Sequence, residues 1–230
     1  MSNRGSVAQR VRQIQERVAE AARTSGRQGG DVTLVAVTKT CPAPLVEQLL
    51  EAGVCHIGEN RVQELCAKAP LVRPAGAVWH MIGHLQRNKI RRALEHAVWV
   101  QSVDSERLAD ALERETARCE RELNCLVEVN MTPAENKTGA PPAVVRDICE
   151  KIAASRWLRL RGFMTIGPLT GGEKEMRSCF AGLRELAVSL GDLCPAPELS
   201  MGMSSDFEWA IEEGATMVRI GSLLTGGYGG

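Results

Sequence analysis

The sequence has no excess of charge of either sign. Lys and Arg together number 28, Asp and Glu together also number 28, and the isoelectric point is near 6.9. Proteins whose main partner is duplex nucleic acid usually carry a basic excess, so this balance argues against that class. The basic run at residues 86–92 leaves a nucleic-acid patch open as an alternative, although such runs are more often solvated helix faces.

The sequence also has no Cys-X-X-Cys pair, although it contains eight cysteines. This absence removes support for zinc ribbons and for thioredoxin-like redox chemistry. His80 and His84 are four residues apart, but the segment between them continues a strand into a turn, so helical zinc geometry is not expected. We therefore predict no metal site. A chain of 230 residues with a sizeable core needs no disulfide framework, so reduced thiols are expected.

A third absence is that of long apolar runs. The N-terminal residues contain no apolar core of a signal peptide, and no long uncharged apolar stretch follows. We therefore expect a cytoplasmic protein without a membrane partner. No Pro/Gly/Ser linker and no shift in composition divides the chain, which predicts one domain spanning residues 1–230.

What the sequence does contain is a regular alternation of short apolar strands and amphipathic helices, preceded by one extra N-terminal helix. The predicted strands cover residues 32–37, 55–58, 78–82, 98–103, 125–129, 158–166, 199–202 and 217–220. The predicted helices cover residues 6–24, 45–52, 62–67, 89–96, 105–120, 142–154, 174–190 and 205–213. Eight such repeats indicate a parallel sheet, and no GxGxxG motif supports a Rossmann fold. We predict an α/β fold, a single (β/α)₈ TIM barrel.

Lys39 is the first candidate functional residue. It follows the buried-strand pattern of residues 32–37, and strand alternation places it on the same face as Val35 and Val37. One explanation is a lysine whose stem is buried while its ammonium group reaches water. The other is a desolvated amine with a lowered pKa that attacks a carbonyl to form a Schiff base.

The loops after the last two strands are the second candidate. Residues 202–204 and 221–222 are small or hydroxyl-bearing, and barrels frequently bind phosphate at this position. A helix N-cap at Ser204 would explain the same residues without a ligand. Arg219 points to the barrel interior by alternation and needs an acceptor there, such as a carboxylate or a ring nitrogen. Lysine, phosphate loops and buried arginine together suggest pyridoxal 5′-phosphate (PLP), with its aldehyde on Lys39.

Longer motifs then reveal a family resemblance. The segments VAVTKT, HIGENRVQE, WHMIGHLQRNK, VNMTPAENKTG, LRGFMTI and LSMGMSSDFEWAIEEGATMVRIGS occur in the order seen in the pyridoxal phosphate homeostasis protein family. The resemblance runs from about Val32 to Ser222. It implies a barrel similar to the N-terminal domain of alanine racemase. It also implies that this chain holds PLP as a Schiff base on Lys39, with Arg219 at the ring nitrogen. The further cofactor contacts that it implies are Asn60, Met203, Ser204, Gly221 and Ser222.

Two departures from the family pattern affect the rim of the site and leave the implied cofactor set intact. Arg61 stands where many relatives carry tyrosine, and the tail LLTGGYGG lacks the arginine often found after the last strand. Glu59 and Glu208 flank the implied cofactor loops. Their carboxylates either belong to the site or simply pair with Arg61 or a neighbouring helix.

The function that we favour at this point is binding rather than catalysis. A racemase needs a second acid/base, which related racemases take from a tyrosine of another domain. Here the chain ends after strand eight, and its single tyrosine is Tyr228. We predict a monomeric protein of PLP homeostasis without catalytic residues that supplies cofactor to apo enzymes. The alternative is a single-domain PLP-dependent racemase or lyase that uses Cys55, His80 or His84.

Overall fold

Eight parallel strands close into a barrel in the computed structural model, which describes residues 6–73, 75–132, 138–168 and 170–227. Each strand pairs with the next along the chain, and the first pairs with the last through Thr33 opposite Met217. The predicted (β/α)₈ barrel is therefore confirmed. The strands are β1 Thr33–Val37, β2 His56–Glu59, β3 Val78–Met81, β4 Trp99–Val103, β5 Leu123–Glu128, β6 Leu158–Met164, β7 Glu198–Ser200 and β8 Met217–Ile220.

The helices surround this barrel, and several are shorter than their sequence patterns predict. They are α1 Val7–Thr24, α2 Ala43–Glu51, α3 Val62–Lys68, α4 Ile90–Ala93, α5 Glu106–Cys119, α6 Val145–Ala153, α7 Glu173–Ser189, α8 Phe207–Glu212 and α9 Ser222–Thr225. The helix predicted at 89–96 is reduced to α4 because residues 87–89 form a 3₁₀ turn and the chain leaves the helix at Leu94. The short helix α9 was not predicted.

The extra N-terminal helix is confirmed as α1. Ser6 caps it, since the Ser6 hydroxyl accepts from Gln9 N while the Gln9 side chain accepts from Ser6 N, a reciprocal capping box. Its apolar stripe is buried at i, i+3, i+4 spacing, including Val11, Ile14 and Val18. The stripe packs mainly against α8, with further contacts to α2 and α9, so α1 covers the side of the barrel where β1 meets β8.

Apolar side chains fill the space between strands and helices, and that core is continuous from Val7 in α1 to Leu224 in α9. The barrel interior differs from it, because its apolar part is a small cluster formed by Leu126, Met164 and Met217. Trp99 and Ile166 pack against this cluster, and other interior positions carry polar side chains such as Gln101, Ser200 and Arg219. No helix in the described ranges combines the length and apolarity needed to cross a bilayer.

Candidate functional site

A cavity of about 540 Å³ opens at the carboxyl ends of the strands. All seven residues predicted to contact a cofactor line it, namely Lys39, Asn60, Met203, Ser204, Arg219, Gly221 and Ser222. The structure also adds residues to this set: Val37, Ile82, Gly83, His84, Glu128, Thr138, Ile166 and Ser205. Residues far apart in the chain meet here because parallel strands all end at the same rim.

Lys39 lies two residues beyond the end of β1, as the strand predicted at residues 32–37 implies. Strand β1 ends at Val37, and Lys39 begins a turn in which Thr40 takes a positive φ of 60°. Its side chain is exposed and borders the cavity, as expected of the explanation in which its ammonium group reaches water. Within the described ranges, no carboxylate pairs with its Nζ atom, and the ammonium group faces solvent and cavity without a fixed partner.

The loops after β7 and β8 supply hydroxyl and backbone donors to one side of the cavity. Gly202 has a φ of +91°, and a Cβ there would lie 2.9 Å from the backbone of Phe207, so this turn requires glycine. Ser204 Oγ accepts from Gly221 N at 3.3 Å, which ties the two loops together. The backbone N–H groups of Ser204, Ser205 and Ser222 donate to no atom in the described part of the chain, so they remain open to an anion.

Arg219 is buried at the inner end of the cavity. Its NH1 donates to Ser200 Oγ at 2.8 Å and its NH2 donates to Thr165 O at 2.9 Å, while Nε donates to none of the described residues. Burial lowers the pKa of Arg219 to about 10, and the negative charges of Glu128 and Asp206 partly oppose that shift. Arg219 therefore points into the barrel, as predicted. The acceptors that it contacts among the described residues are the hydroxyl of Ser200 and the carbonyl of Thr165.

Glu128 is a cavity residue that sequence reasoning missed. It ends β5, is almost fully buried and accepts from Thr138 Oγ1. Burial raises the pKa of the Glu128 carboxyl, although the hydrogen bond from Thr138 and the charge of Arg219 pull it down. The signal available in the sequence was an acidic residue inside the apolar run LVEV, on the same strand face as Leu126.

A chain of hydrogen bonds continues from Arg219 through the barrel interior. Ser200 Oγ donates to Gln101 Oε1 at 2.7 Å, Gln101 Nε2 lies 2.9 Å from His80 Nδ1, and His80 Nε2 lies 2.9 Å from His56 Nδ1. Because an amide nitrogen can only donate, His80 accepts at Nδ1 and must donate from Nε2 to His56. Burial lowers the pKa of His80 to about 3, so its ring is neutral and this single direction of donation is retained.

A second buried polar group lies on the outer face of the sheet, just behind Lys39. Lys68 Nζ contacts Glu59 Oε1 and donates to Thr38 O at 2.6 Å, and Thr38 Oγ1 donates to Glu59 at 2.6 Å. Burial raises the pKa of Glu59, and hydrogen bonds from Lys68 and Thr38 counteract it. The partner of Glu59 is therefore Lys68 of α3 and not Arg61, while Glu208 pairs with Arg17 of α1.

The three alternative acid/base candidates occupy very different places. Cys55 is exposed before the start of β2, at the opposite end of the barrel from the cavity. His80 is buried and takes part in the interior hydrogen-bond chain. Only His84 of these three lines the cavity, where its Nδ1 lies 3.6 Å from Asp104 Oδ2. The single tyrosine of the sequence, Tyr228, lies outside the described residues.

The chain is similar over nearly its whole length to one family of known proteins. The family "alanine racemase, N-terminal domain" matches residues 10–229. A pyridoxal phosphate homeostasis protein of Pseudomonas aeruginosa is 38% identical over 221 residues, covering 96% of this chain and 95% of the relative. The protein of the same name from Aquifex aeolicus is 35% identical over 223 residues, covering 96% and 98%.

Solved structures agree with these sequence relatives. The structure of PipY from Synechococcus elongatus with PLP bound superimposes with a TM-score of 0.85 at 35% identity, covering 96% of this chain and all of that one. Alanine racemase from Corynebacterium glutamicum has a TM-score of 0.68 at 13% identity, covering 93% of this chain and 60% of its own. The second likeness concerns the barrel fold alone.

Proposed function

The chain belongs to the pyridoxal phosphate homeostasis proteins within the alanine racemase N-terminal domain family, and from that premise we propose that it binds PLP in the cavity and takes part in intracellular PLP homeostasis. One observation carries this proposal. Lys39, Arg219 and the paired loops after β7 and β8 meet at one cavity although they come from opposite ends of the chain.

The cavity residues fit the chemistry of the cofactor. A volume of about 540 Å³ lies within the range of roughly 300–1,000 Å³ typical of small-molecule sites. The unpaired backbone N–H groups and the hydroxyls of Ser204 and Ser222 suit a phosphate group. The apolar side chains of Val37, Ile82 and Ile166 suit the faces of an aromatic ring.

Lys39 is the residue that would hold the cofactor covalently. When bound, PLP supplies an aldehyde that condenses with a primary amine. Because Lys39 Nζ borders the cavity without a carboxylate partner among the described residues, it is free to reach that aldehyde. Its exposure keeps the bond accessible to water and to competing amines, which suits a protein that releases its cofactor.

Arg219 would contact the ring nitrogen through Nε. Its other two nitrogens already donate to Ser200 and Thr165, so the guanidinium plane is fixed before a ligand arrives. A cationic partner leaves a ring nitrogen unprotonated and so weakens the ring as an electron sink. This arrangement favours holding the cofactor over using it for catalysis, and apo PLP-dependent enzymes of the cytoplasm are the proposed recipients.

The covalent link has a direct test. The visible spectrum of the purified protein is recorded before and after borohydride, followed by peptide mass mapping. We expect a visible band that reduction abolishes and a pyridoxyl mass on the Lys39 peptide. Lys39→Ala should lose both, whereas Lys174→Ala, at an exposed position of α7, should keep both. A protein that stays colourless with added PLP would refute the proposal.

A racemase or lyase remains the second candidate function because His84 and the buried carboxyl of Glu128 both line the cavity. Either group is placed to exchange a proton with a bound amino acid. The test incubates the PLP-loaded protein with each common amino acid in D₂O and measures exchange of the α-proton by NMR. Rapid exchange with any one amino acid that is lost in His84→Ala or Glu128→Gln would show that the protein is an enzyme and not only a PLP-binding protein.

A monomer is the oligomeric state that we propose. The large apolar side chains exposed in the described ranges are scattered, namely Leu71, Val144, Val188 and Met203, and form no continuous patch in sequence or on one element. Light scattering coupled to size-exclusion chromatography should give a mass near 25.0 kDa. Twice that mass would contradict the proposal.

A further inference from the structure

Cys66, Glu95 and His96 meet on the outside of the barrel, away from the cavity. Cys66 belongs to α3, and Glu95 and His96 follow α4 on the way to β4. Each offers one ligand atom, and the three atoms lie within 4.8 Å of one another. In the described ranges this is the one group of three such side chains so close together. None of the three lines the cavity, so the proposed PLP site does not explain them.

The backbone that carries Glu95 and His96 is held on both sides. The Arg121 guanidinium donates to Leu94 O just before the pair and to Ala97 O just after it. His96 N also donates to Ala93 O at 3.2 Å, which continues the last turn of α4. The two side chains therefore leave a rigid segment, as side chains that bind a metal ion generally do.

Cys66 faces this segment from a helix that is itself fixed. Its thiol donates to Arg92 O at 3.3 Å, so Sγ points toward the end of α4. Two residues further along α3, Lys68 is buried in its contact with Glu59 of β2. The helix cannot rotate about its axis without breaking that ion pair, so the direction of Cys66 is set by the core.

A thiolate, an imidazole and a carboxylate are together the ligands of a borderline-soft cation. Zinc binds such sets at about 2.0–2.3 Å, which places tetrahedral ligand atoms roughly 3.5 Å apart. The three atoms lie within 4.8 Å of one another, so the observed separations exceed that spacing by up to about 1.3 Å. Glu95 is exposed and His96 is half-buried, so rotation of their side chains can close the difference.

We propose that Cys66, Glu95 and His96 bind one Zn²⁺ ion, with water in the fourth position. The thiolate and the carboxylate balance the charge of the ion. Binding of the ion releases the thiol proton, which in the metal-free protein is donated in a hydrogen bond to Arg92 O. Burial raises the pKa of the Cys66 thiol, and the nearby positive charge of Arg92 partly opposes that shift. Oxygen-seeking Mg²⁺ and Ca²⁺ should not bind this set.

The experiment measures binding of Zn²⁺, and of Co²⁺ as its spectroscopic substitute, to the full chain. Wild type should bind one equivalent that Cys66→Ala and His96→Ala bind at least tenfold more weakly. The Co²⁺ complex should show a thiolate charge-transfer band that disappears in Cys66→Ala. Cys119→Ala, which removes an exposed cysteine of α5, is the control and should behave as wild type.

The outcomes are separable from those of PLP binding. Lys39→Ala should keep the zinc site, and Cys66→Ala should keep the visible cofactor band. Added Zn²⁺ should raise the melting temperature of wild type and not that of Cys66→Ala, which also verifies that the variant folds. Equal zinc affinity in wild type, Cys66→Ala and His96→Ala would overturn the proposal, as would a Co²⁺ complex without thiolate absorption.

Discussion

At the scale of single residues, the two lysines near β1 and β2 show how differently one residue type can be used. Lys39 is exposed at the cavity and has no fixed partner among the described residues, whereas Lys68 is buried against Glu59. Sequence alternation identified the first, because a lysine after an apolar strand is conspicuous. It missed the second, because its partner lies nine positions away on another element and no periodicity connects them.

Removing Lys68 should be costly. In Lys68→Met the Glu59 carboxylate loses its buried cation, and we expect unfolding to become about 3–5 kcal/mol easier at neutral pH. Urea denaturation measures the difference. The matched control is the double variant Lys68→Met/Glu59→Gln, which buries no unpaired charge and should recover much of the loss. An equally unstable double variant would contradict this account.

The same variant should have a characteristic pH dependence. Burial already raises the pKa of Glu59 in the folded state, and loss of Lys68 raises that pKa further because Lys68 lowers it. A carboxyl with a raised folded pKa stabilises the fold below its unfolded value of 4.5, and that contribution is lost as pH rises through the folded pKa. The stability deficit of Lys68→Met should therefore shrink between pH 8 and pH 5. A deficit of constant size would show that Glu59 is not its cause.

Ser200 is the residue through which Arg219 is connected to the interior hydrogen-bond chain. Ser200→Ala leaves Arg219 NH1 and Gln101 Oε1 without partners, and we expect a loss of about 1–3 kcal/mol of stability. The affinity for PLP should also fall because the guanidinium plane is no longer fixed. Thermal denaturation and cofactor titration measure both effects. Ser189→Ala, at an exposed site, should change neither.

At the scale of elements, the order and type of strands and helices followed from the sequence because apolar periodicity changes clearly between them. The ends did not. β6 stops at Met164, two residues before the predicted end, and β7 stops at Ser200, also two residues before its predicted end. Side chains beyond a strand end keep facing the cavity, so apolar patterns continue where backbone pairing has stopped. This is why two predicted strands ran past their observed ends, at residues 165–166 and 201–202.

Gly162 shows what close pairing between two strands can require. It lies in β6 with a φ of +142°, and a Cβ there would approach Glu198 O of β7 to 2.1 Å. Gly162→Ala should separate these two strands and cost more than Gly53→Ala, where φ is +89° and no atom lies within 4 Å of the added carbon. For Gly53→Ala we expect only the conformational cost of about 1–2 kcal/mol. Equal melting temperatures for the two variants would refute the role of the contact.

At the scale of the whole molecule, the barrel could be predicted because eight repeats of one unit leave few topologies. The cavity composition could be predicted only at loops whose residues also carry a family resemblance. Glu128 and the interior chain from Ser200 to His56 could not, since they depend on which side chains meet across the barrel. The proposed zinc ligands also meet only in the fold, and no sequence spacing marks them. The expectation of no metal stays a prediction, and the zinc proposal departs from it.

Cofactor binding should be visible in the stability of the molecule as a whole. PLP at 100 times its dissociation constant should stabilise wild type by about 2.7 kcal/mol. For a chain of this size that corresponds to a rise in melting temperature of several degrees. Lys39→Ala should show a smaller rise with PLP. Pyridoxamine 5′-phosphate, which lacks the aldehyde, should stabilise both proteins equally, and a difference between them with this ligand would contradict the role given to Lys39.

The pairing of β1 with β8 has a consequence for how the protein is made. During translation β1 is made before β8 and cannot pair with it until residues 217–220 have left the ribosome. Lys39 follows β1 and Arg219 lies in β8, so the cavity is incomplete until β8 has been made. Non-local closure of this kind is slow to form. If PLP binds as proposed, the visible absorption band would come only from molecules whose synthesis is finished and whose barrel has closed.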